Sequence, residues 1–202
     1  MAPNGTVRVA GVDPFKDSLE GVTYLGTEWV LNPVVRRDID VRCLLASVGG
    51  DYYPDRRDEL VAILDIDLEW HMHEVSDGER RRVQLAMGLM RPWQVLLLDE
   101  VTVDLDLLAR TRFLKFLKDE SDARSCTIVY ATHIFDLMNE WPTHLVHMTL
   151  GQVRHFGGFE ELLNKHAARS EGLGSARIAN LVLEWLSYDF EVRGPRKTLP
   201  KQ

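Results

Sequence analysis

The sequence predicts an α/β fold built on a parallel sheet, and three observations carry that expectation. Val95–Leu98 and Thr127–Ala131 are continuous apolar runs of strand length, the pattern of strands covered by helices on both faces. A helically patterned stretch from Leu107 to about Lys118 separates them, and alternation of strand and helix implies parallel pairing. Polar residues then follow each run directly, Asp99 and Glu100 after the first and His133 after the second. Ligands of parallel sheets sit just there, beyond the carboxyl ends of the strands.

The elements follow in order. Residues 6–11 (TVRVAG) alternate like a short strand, and Val22 to Leu25 read as another, with Asp13, Pro14 and Gly21 as turn residues between them. Helical spacing begins at Ile39, Cys43, Leu44 and Ser47, stops at Gly49-Gly50, and resumes after Pro54 at Leu60, Ile63 and Leu64. Residues 38–90 therefore read as a helical unit without strands. Beyond the second apolar strand, a short helix is expected from Phe135 to about Glu140 and two strands over 143–155 around Gly151-Gln152. Ile178, Leu181, Val182, Trp185 and Leu186 form an apolar stripe at helical spacing in the tail.

Composition narrows the class. The chain has 202 residues, 45% apolar and 27% charged, as in a soluble globular protein. Its net charge of −7 gives no basic footprint for direct nucleic-acid binding. Two cysteines, Cys43 and Cys126, suit a reducing compartment better than a disulfide framework. No apolar run approaches the roughly 20 residues of a membrane span, and the N-terminus lacks the apolar core of a signal peptide. A cytoplasmic or nuclear location is the expectation.

Four features bear on chemistry, each with an ordinary reading beside the functional one. Ser76-Asp77-Gly78-Glu79 matches a capping box ahead of a helix with Val83, Ala86 and Met90 on its apolar face. The same helix N-terminus would present a hydroxyl and backbone N–H groups to a phosphate. Asp99-Glu100 is either an acidic turn after a buried strand or a site where Asp99 holds Mg²⁺ and Glu100 orients or deprotonates water. His133 reads as structural or as a sensor of a γ-phosphate. His71 and His73 suggest a metal pair, but without a third ligand at a convincing spacing they read as solvated histidines. Arg80–Arg82 read as a solvated helix face.

Taken together, these residues resemble the ATP-binding-cassette (ABC) ATPases. VSDGERRRVQ at 75–84 resembles the family signature and its helix, VLLLDE at 95–100 the Walker B strand, VTVDLD at 101–106 the D-loop ending in Asp106, and ATH at 131–133 the H-loop. The wording of DEVTVDLD, IVYATHIFD and YLGTEW is similar to soluble eukaryotic members without membrane domains, of the type associated with the CCR–NOT complex of transcription and mRNA decay.

The resemblance implies a P-loop NTPase (RecA-like) core with an inserted helical subdomain. Residues 1–37 would be partial core, 38–92 helical subdomain with the signature, 93–165 core with Walker B, D-loop and H-loop, and 166–202 a helical tail. It implies ATP and Mg²⁺ as cofactors and a second ABC subunit as partner, homotypic or heterotypic, in a head-to-tail dimer. Ser76, Asp77, Gly78 and Glu79 would meet ATP held by that partner. Asp99 would position Mg²⁺, Glu100 would activate water, His133 would hold the γ-phosphate and Asp106 would couple the two sites. The output would pass to a transcription or mRNA-decay complex. The other readings are the ATP-binding subunit of a transporter and a catalytically inert interaction module.

Three departures qualify this. Thr27 or Glu28 stands where the family has its Q-loop glutamine, and Asp77 and Glu79 depart from the LSGGQ signature. No GxxxxGK[ST] loop, the Walker A motif, occurs in the 202 residues, so the chain is expected to be an N-terminally incomplete form of a longer protein. The resemblance places the missing strand among those at 95–99 and 127–131, where its loss would leave unpaired backbone and uncovered apolar side chains. Negligible ATP affinity and turnover are expected of the 202 residues alone.

Overall fold

The structure, a computed structural model, describes residues 7–9, 11–14, 16, 19–26, 36–166 and 177–194. It divides into two compact units, Met1–His133 and Ile134–Gln202. The division falls inside 93–165, which the sequence reading treats as one piece of core.

In the first unit, β1 (Val22–Leu25), β2 (Val95–Asp99) and β3 (Thr127–Ala131) form a parallel sheet in the order β1-β2-β3. The pairing sets Leu25 beside Leu98 and Tyr130, and Tyr24 beside Leu97 and Val129. Neighbouring residues on a strand point to opposite faces, so these two rows line different faces. On the first, Leu25, Leu96 and Leu98 are buried. On the other, Tyr24 and Val129 are 60% and 54% exposed. The expected cover on both faces is therefore corrected: among the described residues only one face is closed. The described helices account for this, since α3 (Asp77–Leu89) packs on β1. There a Cβ on Gly88 would come within 2.3 Å of a Leu25 methyl carbon, so the glycine permits the close approach. β2 pairs with β3 directly, so the sheet is continuous across these two strands.

The helical stretch forms two helices ahead of α3, but the first buries Val41 and Leu45, while Cys43 of the predicted spacing is exposed. The Asp40 carboxylate caps α1 (Val41–Ser47) by accepting the Cys43 N–H at 2.6 Å. Pro54 opens α2 (Pro54–Leu64), where its missing N–H costs nothing. Both helices pack on α3, and Val41, Leu45, Leu60, Leu64, Val83 and Leu89 are fully buried, each such side chain contributing roughly 1.5–3 kcal/mol. α4 (Leu107–Arg124) runs past its predicted end at Lys118. The added turns are held by the i,i+4 pairs Lys115–Asp119, Lys118–Asp122 and Arg124–Glu120, which support a helix without leaving an apolar stripe.

Two further expectations fail on local backbone geometry. Residues 7–9 are not a strand. Instead Val9 and Val12 exchange backbone bonds of 2.9 and 3.0 Å around Gly11, whose φ of +83° turns the chain back. Phe135 to Glu140, in the second unit, is a pair of turns rather than a helix. Leu137 sits at φ 66°, a left-handed conformation that stops helix propagation, and so short a segment gains too few bonds to offset nucleation.

The second unit also contains an antiparallel hairpin, β4 (His144–Thr149) and β5 (Gln152–Gly158), turning through Leu150 and Gly151 at φ 49° and 75°. Positive φ at both turn residues matches the strand twist. α5 (Phe159–His166) and α6 (Arg177–Arg193) complete it, with Ile178, Leu181 and Trp185 of the predicted tail stripe buried. No described helix is long and apolar enough to cross a membrane.

Candidate functional site

The carboxyl ends of β2 and β3 bring Asp99, Glu100 and His133 into one neighbourhood. Asp99 is the register partner of Ala131, so the residues after each strand emerge side by side. Glu100 then adopts φ 52°, and its N–H donates to the Ala131 carbonyl at 3.0 Å. A non-glycine residue in this region stores strain of the order of 1 kcal/mol. The turn directs the Glu100 carboxylate toward the β3 side, where His133 Nδ1–H donates to Oε1 at 2.7 Å and the Thr132 hydroxyl donates to Oε2 at 3.3 Å. His133 is 73% exposed and Glu100 28% exposed, so both remain within reach of a ligand. Asp99 is exposed. Beneath them the Tyr130 and Thr102 hydroxyls lie 2.6 Å apart, and burial pushes the Tyr130 hydroxyl up from its ordinary pKa.

Ser76, Asp77, Gly78 and Glu79 gather at the N-terminus of α3, where the predicted capping box is formed in full. The Ser76 hydroxyl donates to Glu79 Oε2 at 2.7 Å, the Ser76 N–H donates to the same oxygen at 2.7 Å, and the Glu79 N–H donates to Ser76 Oγ at 3.3 Å. The Ser76 hydroxyl, followed by the Ser76 N–H, holds the Glu79 carboxyl below its ordinary range. Asp77 pairs with Arg80 at 2.7 Å. A Cβ on Gly78 would lie 3.0 Å from the Asp104 carbonyl, so a larger residue would press the 102–106 loop away.

Arg80–Arg82 are not the solvated face expected. Arg80 is 8% exposed and Arg81 2%, because each guanidinium finds internal acceptors that compensate its burial. Arg80 donates to the Met72 carbonyl. Arg81 donates to the Gly26 carbonyl at 2.9 Å and to Gln84, and lies 3.4 Å from the Asp104 carboxylate. Gln84 donates to the same Gly26 carbonyl at 2.9 Å, fastening the end of β1 to α3. Sequence reasoning missed this cluster. Its one signal is the i,i+3 spacing of Arg81 and Gln84 on a helix ridge. Arg82 reaches the Leu64 carbonyl, Asp65 and the Asp106 carboxylate. Asp106 is the N-cap of α4, accepting from Leu108 and Ala109, and the Ala109 N–H foremost lowers its pKa.

Thr27 and Glu28, at the Q-loop position, lie outside the described residues. His71 and His73 do acquire a third group, which the sequence reading did not find. Asp38, 33 residues before His71, contacts both rings.

Comparison with known proteins finds relatives and structural neighbours of the chain. A family model described as "AAA domain, putative AbiEii toxin, Type IV TA system" matches residues 62–139. CCR4-associated factor 16 of Saccharomyces cerevisiae is 51% identical over 166 residues, 74% of this chain and 57% of its own length. ABC transporter I family member 21 of Arabidopsis thaliana is 39% identical over 185 residues, 89% of this chain and 63% of its own length. Family member 20 of the same plant is 48% identical over 73% of this chain and 48% of its own length. Thus the chain spans about half to three-fifths of the length of these relatives.

Among solved structures, the ATP-binding subunit of an ABC transporter superposes with a TM-score of 0.59 at 16% identity, covering 79% of this chain and 68% of that one. A dimeric ATP-binding cassette in a post-hydrolysis state with ADP and Pi superposes with a TM-score of 0.58 at 13% identity, covering 74% and 71%. The fold is the nucleotide-binding fold of P-loop NTPases. The chain is similar to the ABC ATPases, in particular to the yeast and plant proteins above.

Proposed function

We propose that this chain forms part of an ABC-type ATPase that works at a head-to-tail dimer interface and passes the association and release of its subunits to a larger complex. The carrying observation is the strand-end arrangement, an exposed Asp99 beside a Glu100 carboxylate held by His133 at 2.7 Å. Asp99 offers the hard oxygen that Mg²⁺ takes. Glu100 keeps lone pairs beyond the two bonds it accepts, so it can orient a water and draw off its proton. His133, fixed through Nδ1, presents its other ring nitrogen outward toward a phosphate oxygen. ATP with Mg²⁺ would supply the transferable phosphoryl group and neutralise its charge.

The fit is less open at α3. Glu79 already uses the Ser76 hydroxyl and the Ser76 N–H, and two carboxylates stand at the helix end that would favour a phosphate. In this reading Ser76 and Gly78 meet the partner subunit's nucleotide only when Glu79 swings away, and Asp106, tied to Arg82, carries the movement into α4. The segments 1–37, 38–92, 93–165 and 166–202 keep their proposed roles as partial core, signature-bearing helical subdomain, core and tail. A role in transcription or mRNA turnover is supported by the similarity to CCR4-associated factor 16.

The test is ATP turnover and ATP-dependent association of the endogenous protein carrying this chain, with and without Glu100→Gln. Turnover is expected to fall about 10²–10⁴-fold, the range of a lost general base, while association with ATP persists. If partner binding and association ignore both ATP and the substitution, the chain is instead an interaction module.

A further inference from the structure

Away from the strand ends, one group of side chains combines metal-ligand chemistry with a framework that holds it. Asp40 and His71 are partners in an antiparallel bridge, flanked by backbone bonds of 2.9 Å from Met72 to Ile39 and from Val41 to Trp70. Just past the bridge the chain turns, with the Glu74 N–H donating to the His71 carbonyl at 2.9 Å, and Asp38, His71 and His73 gather there, all three exposed. Met72 is fully buried, and its carbonyl accepts from Arg80 at 3.1 Å. The backbone between the two histidines is therefore pinned from below, and both rings point away from the core.

We propose that Asp38, His71 and His73 form a binding site for a divalent transition-metal ion of the zinc type. Asp38 Oδ1 lies 2.6 Å from His71 Nδ1 and 3.3 Å from His73 Nδ1, and the three ligand atoms lie within 4.8 Å of one another. A tetrahedral zinc with bonds of about 2.0–2.1 Å spaces its ligand atoms about 3.3 Å apart. Side-chain rotation alone covers the difference, because all three residues are exposed. Two imidazoles with one carboxylate select zinc, cobalt or nickel over Mg²⁺ or Ca²⁺, which take oxygen ligands.

The surroundings suit the assignment. Glu74 Oε1 lies 3.4 Å from His73 Nε2, where a carboxylate orients a ligand histidine through the ring nitrogen that does not bind. Asp40 is occupied in capping α1 and does not compete. One ligand position stays open for water. The bound ion would clamp residues 38–41 to 70–73, three residues ahead of Ser76, so it would stiffen both the start of α1 and the approach to α3.

Titration of the endogenous protein carrying this chain with Co²⁺, followed by its visible absorption, and with Zn²⁺ by equilibrium dialysis tests this. One ion per chain is expected, with His71→Ala, His73→Ala and Asp38→Asn each weakening binding at least about tenfold. His144→Ala, on the hairpin, is expected to leave binding unchanged. All three site substitutions fall at exposed positions and leave Met72 in place, so near-ultraviolet circular dichroism should match the parent. Absence of saturable binding would reduce the cluster to an ion pair and overturn the proposal, as would binding that survives both histidine substitutions.

Discussion

Two polar clusters of the first unit invite comparison. Around Arg81 the guanidinium, Gln84, Asp104 and the Gly26 carbonyl meet where Arg81 is almost wholly excluded from water. Around Glu100, by contrast, the carboxylate, Thr132 and His133 meet where water and ligands have access. The chemistry is similar, charged groups sharing hydrogen bonds across more than twenty residues of sequence. Burial separates them. A charge removed from water is expensive to leave unpaired, whereas an exposed one is resolvated when its partner goes. The first cluster is therefore an anchor, and the second is free to change partners.

Four substitutions would break or sharpen that contrast. The largest effect is expected from Arg81→Ala, which strips the Gly26 carbonyl and Gln84 of a shared donor. About 3 kcal/mol should be lost in urea unfolding, the lower end for breaking a buried charged network because Asp104 keeps some contact with water. A loss below about 1 kcal/mol would mean that water replaces the guanidinium and that the anchor is no anchor. Ser76→Ala comes next, removing an N-cap at a partly exposed helix end, with about 1 kcal/mol expected by the same measurement.

The third prediction concerns pH. Glu79 is held below its ordinary value of 4.5 by the Ser76 hydroxyl and N–H. A depressed carboxyl contributes stability that is present above the unfolded value and lost as pH falls through the folded one. Stability should accordingly decline below about pH 4.5, and Glu79→Gln should flatten that decline; an unchanged acid limb would show that the capping box is not populated in solution. The smallest effect on stability belongs to Glu100→Gln, under about 0.5 kcal/mol because the amide oxygen can still accept one of the two bonds at this partly exposed position, although it is the substitution expected to cost the most turnover. A large loss of stability there would place Glu100 with the anchors.

Much of the site was legible because its signals are local. Three leucines followed by Asp99-Glu100 announce a strand end, and Ser76 with Glu79 announces a helix start, whatever the rest of the chain does. Glu100 and His133 were each placed beyond a strand, and parallel pairing of those strands sets the two side by side. Other features carried no such signal. The polar last turns of α4 look like loop in sequence, since their i,i+4 pairs are visible only once the helix is assumed. At Leu137, a left-handed residue interrupts what periodicity reads as helix.

The sequence by itself therefore determined the order of strands and helices in the core, the capping of α3, and the resemblance to a family of ATPases. These depend on periodicity and short spacings, which a chain carries wherever it is placed. Only the tertiary structure decided that Arg80 and Arg81 lie inside, that Asp38 joins His71 and His73, and that one face of the sheet stays open among the described residues. Burial and long-range proximity depend on which element covers which, and no window of sequence contains that information.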